Sequence, residues 1–363
     1  MRIGIGALVG VLGGPATYAR ELVAALARAG GHEYVVFTDR PDAFAGLDVM
    51  TVPVPLRSSY HQVTWDHWAL PARVAARGVQ LYHGTKNVLP WRLAVPAVVT
   101  VHDLAVYACP DTFSLPQRLH LRALIPRGVA RSRRIIADSE HARADIMARF
   151  GVAAERVVAV PLGVSAAYRT PVTAEAVARL RRAHGLGEPV VACVGTVQPR
   201  KRIERVIDAF VRAGAAAEGW TLAIAGRIRP HYAPPWLQHL PPGARFLGPL
   251  EDDDLRALYA ASAIAVSASD YEGFGLTVLE AMASGCAVVA VAGTSIPEVV
   301  GDAGMLVAAS DADLLAEALA ALLRDPERRA VLGDAARRRA AGFTWEETAR
   351  RTRAVYEEVL ACA

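Results

Sequence analysis

IAVSASDYEGFGLTVLEAMASGCAVVAV occupies residues 264–291. An apolar, β-branched run at 264–267 reads as a strand. After it, 270–275 reads as a loop, and LTVLEAMAS at 276–284 as a helix that ends at Gly285. A second apolar run at 287–291 reads as another strand. Both runs lack the alternation of a half-solvated strand, so they fit strands buried on both faces of a parallel sheet. A strand, a helix and a parallel strand in succession imply a right-handed crossover. The segment also carries two carboxylates, Glu272 and Glu280, on either side of the turn Gly273-Phe274-Gly275.

The same alternation extends in both directions. Strand candidates occur at 2–6, 34–38, 81–84, 97–102, 134–139 and 156–161, then at 190–195, 221–225, 245–248, 264–267, 287–291 and 304–307. Amphipathic helical stretches separate them, which predicts an α/β protein built on parallel sheets. The second series restarts after a stretch holding Pro161, Gly163, Pro171, Gly185, Gly187 and Pro189, a composition suited to a linker and one helix. The boundary is placed there: residues 1–165 form one doubly wound, Rossmann-like domain and 166–343 a second. The two are expected to face a central cleft, with ligands at the carboxyl ends of their strands. Residues 344–363 form a last amphipathic helix, expected to pack back onto the first domain.

The 363 residues are 53% hydrophobic and 21% charged, a globular composition with a sizeable core. Apolar runs end well short of the roughly 20 residues of a membrane span. The N-terminal run MRIGIGALVG is broken by glycines and flows into an amphipathic helix, so it reads as fold and not as a leader. Four cysteines (Cys109, Cys193, Cys286 and Cys362) form no C-x-x-C pair, in keeping with a reduced, cytoplasmic setting. Residues 1–165 carry 18 basic and 12 acidic side chains, and the rest carry 22 and 24. Only Lys86 and Lys201 among the 40 basic residues are lysine.

Helix starts preceded by glycines are candidate phosphate sites, because unsatisfied N–H groups and the helix dipole converge there. Three stand out: Gly13-Gly14 before Pro15, Gly273–Gly275 before Leu276, and Gly293-Thr294-Ser295 before Ile296. GIGALVG at 4–10, with Asp39 after the second strand, invites a dinucleotide reading. Val11 and Leu12 separate it from the helix and spoil the close turn that reading requires. Glu272 on the loop and Glu280 one turn into the helix can reach one ligand, since carboxylates accept well from vicinal hydroxyls. On spacing alone they are equally well read as a turn residue and a solvated helix residue.

The stretch SASDYEGFGLTVLEAMASGCAVVAVAGTSIPEVVGDAG resembles the signature of glycosyltransferase family 4, retaining enzymes of GT-B fold with an E-x7-E motif. The resemblance continues through VVACVGTVQPRKRIERVIDAF, FLGPLEDDDLRALYAASAIAV, RRIIADSEHARADIMARFGV and RVVAVPLGV. It covers nearly all of the second half and the first half more loosely. It implies a nucleotide-sugar donor in the second domain and an acceptor in the first. By resemblance Glu272 contacts the transferred sugar and Glu280 the ribose hydroxyls, while Gly273, Phe274, Gly275 and Leu276 line sugar and diphosphate. Gly14, Gly195, Thr196, Gly226 and Arg227 complete the expected donor side. Gly13, Gly14, Tyr18, His102 and Asp103 make the acceptor side, with His102 near the reacting sugar through backbone or ring and not as nucleophile.

Arg200 and Lys201 follow a strand in GTVQPRKR and are expected to clamp the leaving diphosphate, where negative charge grows in the transition state. The family has Gly-Arg five residues ahead of its Lys. Thr196 stands at that Arg position here, and Arg200 is the candidate replacement. A solvated charge run is the plainer reading of the same residues. EDDDL at 251–255 precedes a helix and reads as an acidic N-terminus, not a metal site. The basic segment from Arg118 to Arg134, interrupted by Pro126 and Gly128, reads as a solvated face or as a peripheral contact with anionic lipid at the inner face of a membrane. It lacks the aromatic interleaving of a nucleic-acid site.

The resulting expectation is a retaining, metal-independent and cofactor-free hexosyltransferase, with a mannose-type donor favoured. Its acceptor would be a glycan, a lipid-linked molecule or a small-molecule natural product. The rival readings are an epimerase-like enzyme of the same fold, a pyridoxal-phosphate phosphorylase, for which only two lysines are on offer, and a non-catalytic nucleotide-sugar binder.

Overall fold

A computed structural model describes residues 1–9, 13–55, 65–308 and 312–362. The chain divides into two units, Met1–Gly163 with Thr344–Ala363, and Val164–Phe343. Gly10, Val11 and Leu12, used above against a dinucleotide turn, lie outside the described residues.

The first unit holds seven strands: β1 (Arg2–Gly6), β2 (Glu33–Thr38), β3 (Met50–Pro53), β4 (Leu81–Gly84), β5 (Ala97–Val101), β6 (Arg134–Ala137) and β7 (Val157–Ala159). They pair in parallel in the order β3-β2-β1-β4-β5-β6-β7. Strand order reverses between β1 and β4, and that switch point is where a sheet of this kind opens to a ligand. Ile3, Ile5, Val98, Val99, Ile135 and Ile136 are fully buried, as two-sided covering of a parallel sheet requires. β3 has no counterpart in the sequence reading. It is four residues long, lies at the sheet edge and ends in Pro53, so neither length nor pattern marks it. Helix Trp345–Ala361 closes this unit against helix Gly14–Ala29, burying Trp345, Val355, Tyr356 and Val359.

The second unit holds β8 (Val190–Val194), β9 (Thr221–Ala225), β10 (Ala244–Gly248), β11 (Ser262–Ser267), β12 (Ala287–Val291) and β13 (Met305–Val307). Their order, β10-β9-β8-β11-β12-β13, is again all parallel. Here the reversal lies between β8 and β11. The crossover read from 264–291 is present as β11, helix Leu276–Ser284 and β12. Both units are thus doubly wound, Rossmann-like α/β domains. EDDDL forms the start of helix Asp252–Ala261, with Glu251 as its N-cap.

One expectation is overturned. Helix Leu115–Arg131 runs unbroken through Pro126 and Gly128. Pro126 has no N–H to give the Arg122 carbonyl, and the Tyr107 hydroxyl donates to that carbonyl instead at 3.5 Å. Gly128 eases the close passage of the 87–89 backbone. A Cβ there would lie 3.3 Å from the Leu89 nitrogen. Among the described residues no helix is long and apolar enough to cross a membrane.

Candidate active site

The loops after β8 and β11 flank the switch point of the second sheet, and they carry the expected clamp and the first expected glutamate. After β8 the chain turns through Pro199–Lys201 and enters helix Ile203–Arg212 from Arg202, a non-glycine residue at φ +46°. After β11 it runs through Asp270–Gly275 into helix Leu276–Ser284. Gly275 has φ +105°, and a Cβ would meet Ile296 Cδ1 at 2.6 Å, so only glycine suits both the backbone and the space.

Glu272 is 7% exposed and lies between two cations. Arg200 Nη1 donates to Oε2 at 3.1 Å, and Lys201 Nζ donates to Oε1. Burial by itself would raise the Glu272 carboxyl. The charges of Lys201 and Arg200 outweigh it and hold the group at about 2. Arg200 and Lys201 are therefore not a solvated charge run: their side chains are largely buried against one carboxylate.

The backbone of the same loop is tied down at Asp270, Tyr271 and Glu272. Arg200 donates to the Tyr271 carbonyl, and Asp270 N–H donates to the Arg200 carbonyl at 2.8 Å. Asp270 is paired with Arg202 and, at 2.9 Å, with Arg205. Glu272 N–H donates to Thr294 Oγ1 at 2.9 Å, and Ser295 Oγ donates to the Glu272 carbonyl at 3.0 Å. Thr294 adopts φ +54°, an uncommon conformation for a β-branched residue. The third glycine-preceded helix start, read above as a phosphate site, thus serves here to hold Glu272.

Glu280 sits inside helix Leu276–Ser284 and is 8% exposed, so the solvated reading of this residue fails. Gly195 lies under Lys201, since an added Cβ would touch its Cε at 3.4 Å. Gly226 packs on Gly195 so closely that a Cβ would fall 1.9 Å from the Gly195 carbonyl oxygen. Val197 N–H donates to the Arg227 carbonyl at 2.9 Å, joining the loops after β8 and β9, while the Arg227 side chain is exposed. Thr196 and Leu276 are half-buried, and Gly273 and Phe274 are buried, with Phe274 edge-on to Phe343 at 5.9 Å.

The first unit brings a second set together. His102 follows β5, and its ring lies between Asp138 and the Thr85 carbonyl, 2.8 Å from each. The His102 N–H donates to Asn87 Oδ1 at 2.8 Å. Burial opposes an imidazolium, but the Asp138 charge and hydrogen bond, the Thr85 carbonyl and Asp103 together raise the ring above its ordinary value. Tyr18, expected on the acceptor side, is a core residue. The helical period puts it on the inward stripe with Leu22 and Leu26, its hydroxyl meets Thr100 Oγ1 at 2.8 Å, and its ring meets His102 edge-on at 4.8 Å. Asp103 accepts from Ala105 N–H at 3.0 Å, at the start of a short helix whose N-cap is Leu104. Gly13 and Gly14 are exposed at the open start of helix Gly14–Ala29. Asp39 accepts from Val9 N–H at 2.8 Å.

Asp138, Thr85, Asn87, Asp270, Arg205 and the supporting role of Thr294 and Ser295 escaped the sequence reading. The signal available for Asp138 was its place directly after β6, on the same carboxyl edge as His102. No group of three or more metal-ligating side chains occurs among the described residues.

A family model described as Glycosyl transferases group 1 matches residues 177–339, and one described as Glycosyltransferase Family 4 matches residues 12–168. The chain is 30% identical over 282 residues to O-antigen chain mannosyltransferase B of Escherichia coli, covering 76% of this chain and 74% of that one. It is 34% identical over 296 residues to a D-inositol 3-phosphate glycosyltransferase of Salinispora arenicola, covering 74% of this chain and 65% of that one. Among solved structures, sucrose-phosphate synthase from Thermosynechococcus elongatus superposes over the full length of both chains with a TM-score of 0.78 at 23% identity. Anabaena Alr3699/HepE, solved in complex with UDP-glucose, gives 0.77 at 18% identity over 99% of this chain and 100% of that one.

Proposed function

The chain belongs to glycosyltransferase family 4, and from that premise we propose that it moves a hexose from a nucleoside diphosphate sugar to an acceptor hydroxyl with retention of configuration. The observation that carries the reading is the convergence of Arg200 and Lys201 on Glu272 at the switch point of the second sheet. With donor bound, the two cations face the diphosphate as well as Glu272. As the bond from the sugar carbon to the phosphate oxygen breaks, its electron pair passes to the diphosphate, and fixed cations stabilise that charge more in the transition state than in the ground state. The reading therefore needs no metal ion or cofactor. The acceptor hydroxyl attacks from the face the diphosphate leaves, and a phosphate oxygen takes its proton. Glu272 orients the transferred sugar, and Glu280 accepts from the ribose hydroxyls.

A mannose-type donor is favoured because a relative covering three quarters of the chain is named for mannosyl transfer. The acceptor, taken by the first unit, is a glycan, a lipid-linked molecule or a small natural product. A peripheral membrane role fits a basic face with exposed apolar side chains. Helix Leu115–Arg131 shows Leu115 and Leu119 to solvent, and a hollow of about 690 Å³ beside it is lined by Trp91, His120, Arg127 and Arg131.

The test is turnover of Glu272→Ala and Lys201→Ala with a donor chosen from a thermal-shift panel of UDP-, GDP-, ADP- and dTDP-sugars. Each variant should remain folded and lose roughly 10²- to 10³-fold in kcat. Wild-type turnover in either folded variant overturns the assignment.

A further inference from the structure

Both ring nitrogens of His102 face oxygen atoms. The Thr85 carbonyl can only accept, so Nε2, 2.8 Å away, carries a hydrogen. Oδ2 of Asp138 lies 2.8 Å from Nδ1, and an ionised carboxylate also only accepts. A neutral imidazole has a single N–H and cannot serve both contacts. The second carboxylate oxygen, Oδ1, is buried without a hydrogen-bond partner among the described residues, so the ring is the partner on which Asp138 depends.

The groups facing this pair come from several elements. His83 on β4 is kept neutral, pushed down to about 3 by burial and by His102, with its nitrogens on Tyr356 Oη and Thr100 Oγ1 at 2.6 and 2.7 Å. Tyr18, from helix Gly14–Ala29, stays protonated because burial and the Asp138 charge push its hydroxyl up. Asp103, on the loop of His102, adds one further negative charge. His102 and Asp138 are both shifted upward, Asp138 chiefly by burial, so the pair holds its shared proton more tightly than either group would alone.

The same residue braces the loop after β4 at two points. The ring holds the Thr85 carbonyl and the His102 N–H holds Asn87. Asn87 sits at φ +59° and donates its own N–H to the Thr100 carbonyl at 2.9 Å, and Thr85 Oγ1 donates to the Gly6 carbonyl at 2.5 Å. Residues 85–87 are therefore fixed at the switch point between β1 and β4, with Lys86 between the two braced residues.

We propose that His102 and Asp138 form a proton-locked positioning pair: the ring keeps both N–H groups and braces residues 85–87 at the carboxyl edge of the first sheet, and it exchanges no proton during transfer. The proposal rests on the glycosyl-transfer reading only for the statement that this edge serves the acceptor.

The experiment is nitrogen NMR of the full chain labelled at histidine, without substrate. Wild-type His102 should show both ring nitrogens protonated and unchanged between about pH 6 and pH 8, where a free histidine titrates. A ring with one N–H, or one that titrates in that window, overturns the proposal whatever the enzyme's substrate. In Asp138→Asn the amide can donate to Nδ1 while Nε2–H stays on Thr85, so the ring becomes neutral in an unchanged place. That variant should keep most of its turnover, whereas Asp138→Ala should lose about 10- to 100-fold. Wild-type turnover in a folded Asp138→Ala variant overturns the bracing role. Equal loss in the two variants assigns the pair an electrostatic role and overturns it as well.

Discussion

At the scale of single residues, Glu272 shows how a buried charge is kept. Its carboxyl is held at about 2, below the ordinary 4.5, because Lys201 and Arg200 outweigh the burial that would raise it. A carboxylate with a lower pKa in the folded chain than in the unfolded chain contributes stability above about pH 4.5, and that contribution disappears as pH falls toward 2. Lys201→Met removes the nearer cation. We expect a loss of about 1.5–3 kcal/mol at neutral pH, with the remaining Glu272 contribution lost at a higher pH than in wild type. Urea denaturation of both proteins from about pH 3 to 7 checks this, and identical pH dependence would show that Lys201 does not set the state of Glu272. Glycines, a strand end and clustered charge made Glu272, Arg200 and Lys201 candidates, and the resemblance to glycosyltransferase family 4 singled them out. The sequence could not show that Thr294 and Ser295 hold the Glu272 backbone, since that contact joins residues 22 and 23 positions away.

At the scale of elements, helix Leu115–Arg131 carries the clearest lesson. Proline and glycine argue locally against a long helix, but a hydroxyl from Tyr107 and the close backbone of 87–89 compensate for both. Unbroken, the helix presents six arginines in and just beyond it, at 118, 122, 127, 131, 133 and 134, with no acidic side chain among them. Leu115 and Leu119 on the helix and Trp68 and Trp91 from an earlier segment are exposed, and the Arg92 guanidinium lies 5.0 Å over the Trp68 ring. Charge of one sign beside exposed apolar side chains fits the surface of an anionic bilayer. The chain should sediment with vesicles containing phosphatidylglycerol and not with pure phosphatidylcholine. Arg127→Glu with Arg131→Glu should weaken binding by about 2 kcal/mol or more, at about 1 kcal/mol for each arginine lost. Binding that ignores lipid charge would rule this face out.

At the scale of the whole molecule, the division of the chain is the decisive fact. The last helix, Trp345–Ala361, belongs to the first unit although it follows the second in sequence. It buries Trp345, Val355, Tyr356 and Val359, and Tyr356 Oη meets Nδ1 of the buried His83 at 2.6 Å. Each fully buried large side chain contributes roughly 1.5–3 kcal/mol. Truncation after Phe343 should therefore destabilise the first unit by several kcal/mol and leave the second nearly unchanged. Hydrogen exchange should then rise across β1, β4 and β5 and stay at wild-type levels in β8, β11 and β12. Equal effects on both units would contradict the division.

The alternation of buried strands and amphipathic helices, the parallel sheets and the second-unit crossover were all determined by the sequence. Each depends on periodicity, turn chemistry or charge within a few neighbouring positions. Only tertiary structure decided that Tyr18 is core and not acceptor surface, that Glu280 is buried and not solvated, that Pro126 leaves its helix intact, and that Asp138 partners His102. Those outcomes depend on which distant groups meet in space, and the free energy of a buried polar atom is set by that meeting, not by its sequence neighbours.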